Sequence, residues 1–275
     1  MRPYERSMVV TSLNWQCQPA GTSVGKEPAS CHRICPRNTT AAKGSRMRLA
    51  LLSIPCLLVV ALFFAGALGC GQTGAQGVPV GKEIVLPAAV TTGGMGLSES
   101  VAKRRSVREF TSQALSMEQL SQLTWAGQGI TDPEQGRRAA PSAGATYPLE
   151  LYLLTKEGVF RYVPQGHKLV QLGDRDRRDD LSNAALGQAS VAQAALDIVI
   201  VGVLSRTETK YGERAEQYVH IEAGAAGENI LLQATALGLG AVPVGAFRDE
   251  AVGGTLALPQ GETPLLIIPV GHPAA

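Results

Sequence analysis

The sequence predicts an α+β fold, and three observations carry that reading. Strand-like apolar runs and helix-like periodic runs are mixed along 275 residues without strict βαβ alternation. No GxGxxG follows a strand, which argues against a doubly wound nucleotide-binding sheet. Hydrophobic residues make up 45% of the chain, enough for a packed core, but aromatics only 5%, so that core must rest on Leu, Val, Ala and Ile. The formal charge of +2 carries no bias toward nucleic acid or other polyanions.

The N-terminal third stands apart. Residues 1–46 are polar, Cys-containing and without periodicity, and are read as an upstream extension from a misassigned start. The alternative is a disordered cytoplasmic tail. Met47 opens a well-formed signal. Lys43, Arg46 and Arg48 flank the uncharged run Leu49–Leu68, which is long enough to cross a bilayer, and Ala67-Leu68-Gly69-Cys70 follows. Residues 47–70 thus resemble a bacterial lipoprotein signal, cleaved before Cys70 and lipidated there, with Ala67 and Leu68 swapped relative to the usual pattern. An uncleaved membrane helix is the alternative. Either way the basic flank stays inside, so the expected location is the bacterial cell envelope, membrane-anchored, with the domain on the non-cytoplasmic side. Residues 71–81 are Gly-rich and read as a flexible linker. The folded domain is expected over 82–275.

All five cysteines precede that domain, which closes nucleophilic-cysteine, iron–sulfur and disulfide chemistry for it. Cys31-His32-x-x-Cys35 lacks a matching second pair, so no metal site is expected.

Within the domain, Ser116-Met117-Glu118-Gln119 forms a capping box, Leu120 and Leu123 recur at helical spacing, and Gly127 and Gly129 are expected to stop that helix. Leu149–Leu154 reads as a strand. Val159–Val163 and Lys168–Leu172 flank Pro164-Gln165-Gly166-His167 and read as a hairpin. The mixed-charge run Arg175–Asp180 reads as a solvated face. Leu196–Leu204 reads as a buried strand. The longest helix is expected from about Arg214 to Leu237, with small residues Ala223, Ala225 and Ala226 permitting close packing, before Gly238 and Gly240 end it. Ala241–Val244 and Leu265–Val270 read as two more strands.

Two segments carry chemistry. Arg104-Arg105-Ser106-Val107-Arg108-Glu109-Phe110 gathers three guanidinium groups and a hydroxyl, a donor set suited to phosphate oxygens. The alternative is a solvated basic turn. About thirty residues on comes Arg138-Ala139-Ala140-Pro141-Ser142-Ala143-Gly144-Ala145-Thr146-Tyr147-Pro148-Leu149-Glu150. With the later Glu222-x-Gly224, these segments in this order resemble the FMN-dependent nitroreductase superfamily, and most of all its azoline dehydrogenase-like branch. The likeness runs from about Lys82 to Gly271, and includes Lys82–Pro87 as a short extended lead-in.

The resemblance implies a mainly antiparallel sheet flanked by helices, in a homodimer with FMN at the interface and the long helix forming much of it. It assigns Arg104, Arg105 and Ser106 to the phosphate and ribityl end, and Arg108 to the basic position near the ring's N1–O2 edge. Pro141, Ser142 and Ala143 match the segment that reaches the flavin of the other subunit. Val244, Gly245 and Ala246 match the loop whose backbone amide faces N5. Many members carry a further Lys or Arg after the final strand, where this chain offers only His272. Glu222 could orient a flavin-site arginine, hold the dimer, or be a surface carboxylate. Lys210-Tyr211 resembles the proton-transfer pair of azoline dehydrogenases; the alternative is an exposed turn before the long helix.

The resulting expectation is an exported FMN oxidoreductase moving a hydride through flavin N5 to or from a small substrate: an azoline-like ring, a quinone or a nitro compound. The competing expectations are a membrane-anchored flavin- or ligand-binding lipoprotein without turnover, and a member that only dimerises around an empty site.

Overall fold

The computed structural model describes residues 81–274. The readings on residues 1–80, including the signal, the linker up to Val80 and Cys70, fall outside it. Among the described residues no helix is long and apolar enough to cross a membrane.

The backbone is organised on one seven-stranded sheet in which every pairing is antiparallel. In chain order its strands are β1 (Glu83–Val85), β4 (Leu149–Thr155), β5 (Gly158–Val163), β6 (Lys168–Gly173), β7 (Leu196–Val203), β8 (Gly240–Ala241) and β9 (Glu262–Gly271). A two-stranded ribbon, β2 (Ile130–Asp132) with β3 (Arg137–Arg138), stands beside it. The spatial order is β1-β6-β5-β4-β7-β9-β8. The helices are α1 (Leu97–Lys103), α2 (Met117–Gln128), α3 (Arg178–Ala184), α4 (Ala189–Gln193), α5 (Ser205–Tyr211), α6 (Ala215–Ala236) and α7 (Asp249–Leu256). This is the expected α+β architecture, an antiparallel sheet flanked by helices.

Strand alternation explains the layers. Leu151, Leu153, Ile198, Ile200 and Ile268 point to one face and pack with Leu123 of α2 and Val219, Ala226 and Ile230 of α6. Tyr152, Leu154, Val199, Val201 and Ile267 point to the other face and pack with Leu181, Val191, Val252 and Leu256 from α3, α4 and α7. The central strands are thus buried on both faces, which is why they read as continuous apolar runs. Small residues on α6 let it sit close: a Cβ at Gly227 would come within 2.9 Å of Leu266 Cδ2.

Three local expectations need correction. Gly127 does not stop α2, which runs through Gln128 with Gly129 at its C-cap. A Cβ at Gly127 would stand 3.0 Å from both Ile230 Cδ1 and Leu151 Cδ1, so glycine there serves helix-to-core packing rather than termination. Ala241–Val244 is strand only at Gly240–Ala241, and then meets β9 at the single bridge Val244 with Ile267. The run Arg175–Asp180 is solvated only in part. Arg178 begins α3, donates to the Ala194 carbonyl (2.7 Å) and is held by Asp176. Elsewhere the local signals operate as read. Ser116 and Gln119 close the capping box at 2.9 and 3.2 Å. β1 pairs with β6 from Glu83 opposite Val170 to Val85 opposite Lys168.

Candidate functional site

The Arg104–Phe110 segment is laid along the β8–β9 edge of the sheet. Ser106 bridges Ala241 in parallel, Val107 N–H donates to the Ala241 carbonyl (3.0 Å), and Phe110 pairs with Pro273. Gly240 and Gly271 make room for this. A Cβ at Gly240 would reach Val107 Cγ1 at 2.6 Å, and one at Gly271 would reach the Phe110 ring at 2.9 Å. Arg104 is half-exposed and lies 3.8 Å from Glu228 of α6, a loose surface pair worth at most about 1 kcal/mol. Arg105 turns one nitrogen onto the carbonyls of Ala102 (3.0 Å) and Arg104 (2.7 Å), at the C-terminal end of α1. Arg108 is exposed and has no carboxylate partner among the described residues. His272 joins the segment through its carbonyl, which accepts from Thr111 N–H (2.8 Å), and its buried Nε2 has no hydrogen-bond partner.

From Ala241 the chain runs to Gly245, at most about 14 Å away for an extended segment of that length. Val244 exchanges both backbone bonds with Ile267 (2.8 and 3.0 Å), and the Ala246 carbonyl accepts from Gln188 Nε2 (3.0 Å). Gly245 between them is exposed, and its N–H makes no hydrogen bond among the described residues. A cluster of cations and a hydroxyl, with a free backbone donor one short extended segment away, fits a mononucleotide with phosphate at one end and ring at the other. The orphaned His272 nitrogen beside the cluster fits the same group.

Pro141, Ser142 and Ala143 lie elsewhere, in a strained turn beside α5. Gly144, Ala145 and Tyr147 adopt φ of +58°, +56° and +46°. For Ala145 and Tyr147 such backbone costs about 1–2 kcal/mol each and persists only when its surroundings over-determine it. They do. Ser142 Oγ accepts from Tyr147 N–H (2.9 Å), Arg206 of α5 donates to the Tyr147 carbonyl (3.0 Å), and the Thr146 and Thr207 hydroxyls bond at 2.9 Å. The Arg138 guanidinium lies 4.6 Å from the Tyr147 ring centroid.

Lys210 and Tyr211, sixty-odd residues away in sequence, close on this turn. Lys210 Nζ donates to the Gly144 carbonyl (3.3 Å). A Cβ at Gly144 would collide with both Lys210 Nζ and the Tyr211 hydroxyl. The Tyr211 ring packs edge-on against Tyr218 of α6, 4.9 Å between centroids. The site residues therefore form two groups. Arg104, Arg105, Ser106, Arg108, Val244, Gly245 and Ala246 follow the β8–β9 edge, and Pro141, Ser142, Ala143, Lys210 and Tyr211 share the turn. Among the described residues no hydrogen bond or ion pair joins one group to the other.

Beneath the turn lies a polar cluster that the sequence reading largely missed. Arg138 donates to Gln128 Oε1 (2.8 Å), and Arg206 pairs with Glu150 (2.6 Å). Burial holds the Arg138 guanidinium below its usual range. Glu222 is not a surface carboxylate: it is 3% exposed, and its Oε1 has no hydrogen-bond partner. Burial pushes its carboxyl up to about 7, against the opposing pull of Ser142 and Arg138. The signal for Glu222 was present, since it falls in the inward stripe Val219, Ala223, Ala226, Ile230 of α6. Arg138 and Glu150 bound the segment around Pro141, Ser142 and Ala143 without a role read for either, and nothing local marked Arg206.

Comparison with known proteins places the fold in a family. The Nitroreductase family model matches residues 101–272. A protein of Methanocaldococcus jannaschii named as a nitroreductase is 42% identical over 182 residues, covering 64% of this chain and 90% of its own. A nitroreductase crystal structure from Ralstonia eutropha shares 33% identity at a TM-score of 0.65, over 70% of this chain and 90% of that one. The FMN reductase (NADPH) of Bacillus subtilis is 25% identical over 64% of this chain and 65% of its length.

Proposed function

This chain belongs to the nitroreductase family and is an oxidoreductase, and from that premise we propose that it works with FMN in a homodimer whose site is shared between subunits. Arg104, Arg105, Ser106 and Arg108 bind the phosphate end, with His272 at its margin. Gly245 N–H faces the ring from the same subunit. Pro141–Ala143 close over it from the partner, bringing Lys210 and Tyr211 with them. When bound, the flavin supplies hydride transfer at N5. The protein's own work is to fix the ring, exclude water and move a proton.

The observation that carries the reading is the convergence of Lys210 Nζ and the Tyr211 hydroxyl on Gly144. A base and a phenol seated on the turn expected at the flavin suit an oxidation in which a ring carbon gives up a proton as its neighbour gives up a hydride. That is the chemistry of an azoline-like ring. Quinones and nitro compounds are the other candidate substrates, and for them solvent can supply the proton. Removing a general acid or base costs about 10²–10⁴-fold in rate. Lys210→Ala and Tyr211→Phe are therefore expected to keep bound FMN, lose azoline oxidation by that factor, and retain most quinone reduction. Near-parental rates of both variants on both substrate types would reduce the pair to ordinary surface residues at the end of α5.

The basic flank, the uncharged run Leu49–Leu68 and Cys70 support export and membrane attachment as part of the same proposal. An acyl mass on Cys70 in protein extracted from its host checks this, and an unmodified Cys70 removes the lipid anchor.

A further inference from the structure

The helix that carries Lys210 and Tyr211 has little apolar packing to hold it. α5 spans seven residues, has no side-chain cap at its N-terminus, and buries only Thr207. A helix this short is unstable alone, so its place depends on what its side chains grip. Arg206 grips two elements at once. Its Nη1 donates to the Tyr147 carbonyl (3.0 Å), and its Nη2 pairs with Glu150 Oε1 (2.6 Å). Glu150 stands on β4, the middle strand of the sheet, opposite Val201 of β7. Among the described residues this is the one side-chain hydrogen bond from α5 to the sheet. The bond between the Thr207 and Thr146 hydroxyls ties α5 only to the turn, and Lys210 Nζ likewise ends on the Gly144 carbonyl. Arg206 and Lys210 are four residues apart, hence on one face of the helix. Between them they hold the turn at Tyr147 and at Gly144.

We propose that Arg206 is a positioning residue: its fork between Glu150 and the Tyr147 carbonyl fixes α5 against the sheet, and so sets where Lys210 and Tyr211 stand. This rests on the reading that the pair moves the substrate proton. The guanidinium suits the task. It is planar, always charged and presents its donors in fixed directions, so bonding a strand carboxylate with one nitrogen aims the other. A lysine carries a point charge on a flexible stem and cannot fix that angle. The ion pair is half-exposed on the arginine side, so its contribution to global stability is small. What it supplies is direction. Without it the Tyr147 carbonyl loses its partner, and a backbone at φ +46° loses one of the contacts that hold it there. Lys210 and Tyr211 then drift from their seat. Quinone reduction, whose proton solvent can supply, tolerates that drift. A ring oxidation that needs the pair does not.

Two readouts on the full-length protein test this. Amide hydrogen exchange over residues 207–211 needs no flavin or turnover, and is expected to be several-fold faster in Arg206→Ala than in the parent. Turnover is followed with a peptide carrying one thiazoline ring and with menadione. Arg206→Ala is expected to lower kcat on the thiazoline by about 10–100-fold, the effect of displacing a reacting group by about 1 Å. KM and menadione reduction should stay near the parent's. The loss should vanish when Arg206→Ala is added to the double variant Lys210→Ala/Tyr211→Phe, because a residue that acts through the pair then has nothing left to place. Arg206→Lys, which can keep only one of the two bonds, should fall between Arg206→Ala and the parent, and it covers the case in which Arg206→Ala folds poorly. Parental exchange over residues 207–211 overturns the proposal. So does parental thiazoline turnover in Arg206→Ala where Lys210→Ala has lost it, or a loss that adds in full to that of the double variant. Fast exchange in Arg206→Ala beside parental thiazoline rates in Lys210→Ala and Tyr211→Phe counts against the proton-transfer reading alone.

Discussion

Gly144→Ala tests the central geometry with one methyl group. Gly144 sits at φ +58°, where alanine costs about 1–2 kcal/mol more than glycine. A domain of this size loses about 2–4 °C of Tm per kcal/mol, so the backbone alone predicts a fall of about 2–8 °C. The new Cβ also occupies the place of Lys210 Nζ and the Tyr211 hydroxyl. Both are ends of flexible side chains and can move aside at little cost in stability. They cannot move without leaving their seat, and a displacement of about 1 Å in a reacting group can cost about 10²-fold in rate. The expected outcome is a modest fall in Tm by calorimetry and, on the proposed function, FMN absorbance retained with azoline oxidation down by about 10–100-fold. Gly136→Ala is the control: Gly136 also has positive φ (+64°), but nothing lies within 4 Å of its Cβ direction. It should share the fall in Tm and spare turnover. Equal turnover in Gly144→Ala and Gly136→Ala would show that Lys210 and Tyr211 do not act from the turn.

Two further outcomes follow from buried and exposed charge. Arg104→Ala should weaken FMN binding by about ten- to a hundred-fold, the loss of one charged hydrogen bond of about 1.5–3 kcal/mol, read by fluorescence titration. Its stability should be unchanged because the Glu228 pair is loose; parental FMN affinity would remove the clamp assignment. Asp197 of β7 is fully buried, neither carboxylate oxygen has a partner, and burial holds its carboxyl well above the usual range despite Arg178 nearby. Above the ordinary carboxylate range the unfolded chain has released this proton and the folded one still holds it. Stability is therefore greatest at acid pH and falls as pH rises toward the folded value, by up to about 1.4 kcal/mol per pH unit from this group. Asp197→Asn should abolish that part of the slope in denaturant titrations at pH 5 to 8, and an unchanged slope would mean Asp197 is ionised in the fold.

The elements were legible because their determinants are local. The capping box at Ser116, the apolar runs of β4 and β7, the hairpin around Gly166 and the length of α6 each depend on residues a few positions apart. Where a single residue answered to distant partners, the local reading misfired. Gly127 looks like a stop signal, but its neighbours are Leu151 and Ile230, and the helix continues. The site divides along the same line. Composition and order alone determined that a cluster of cations, a small-residue turn and a Lys-Tyr pair exist. Only the tertiary structure decided that Arg104–Arg108 runs along β8, that Lys210 and Tyr211 rest on Gly144, and that Glu222 is buried in the core-facing stripe of α6. The physical reason is that these contacts join residues 66 or more positions apart in the case of Lys210 and Gly144. No periodicity encodes them: they appear only when the sheet brings the start of β4 beside the end of β7, Leu149 opposite Gly202.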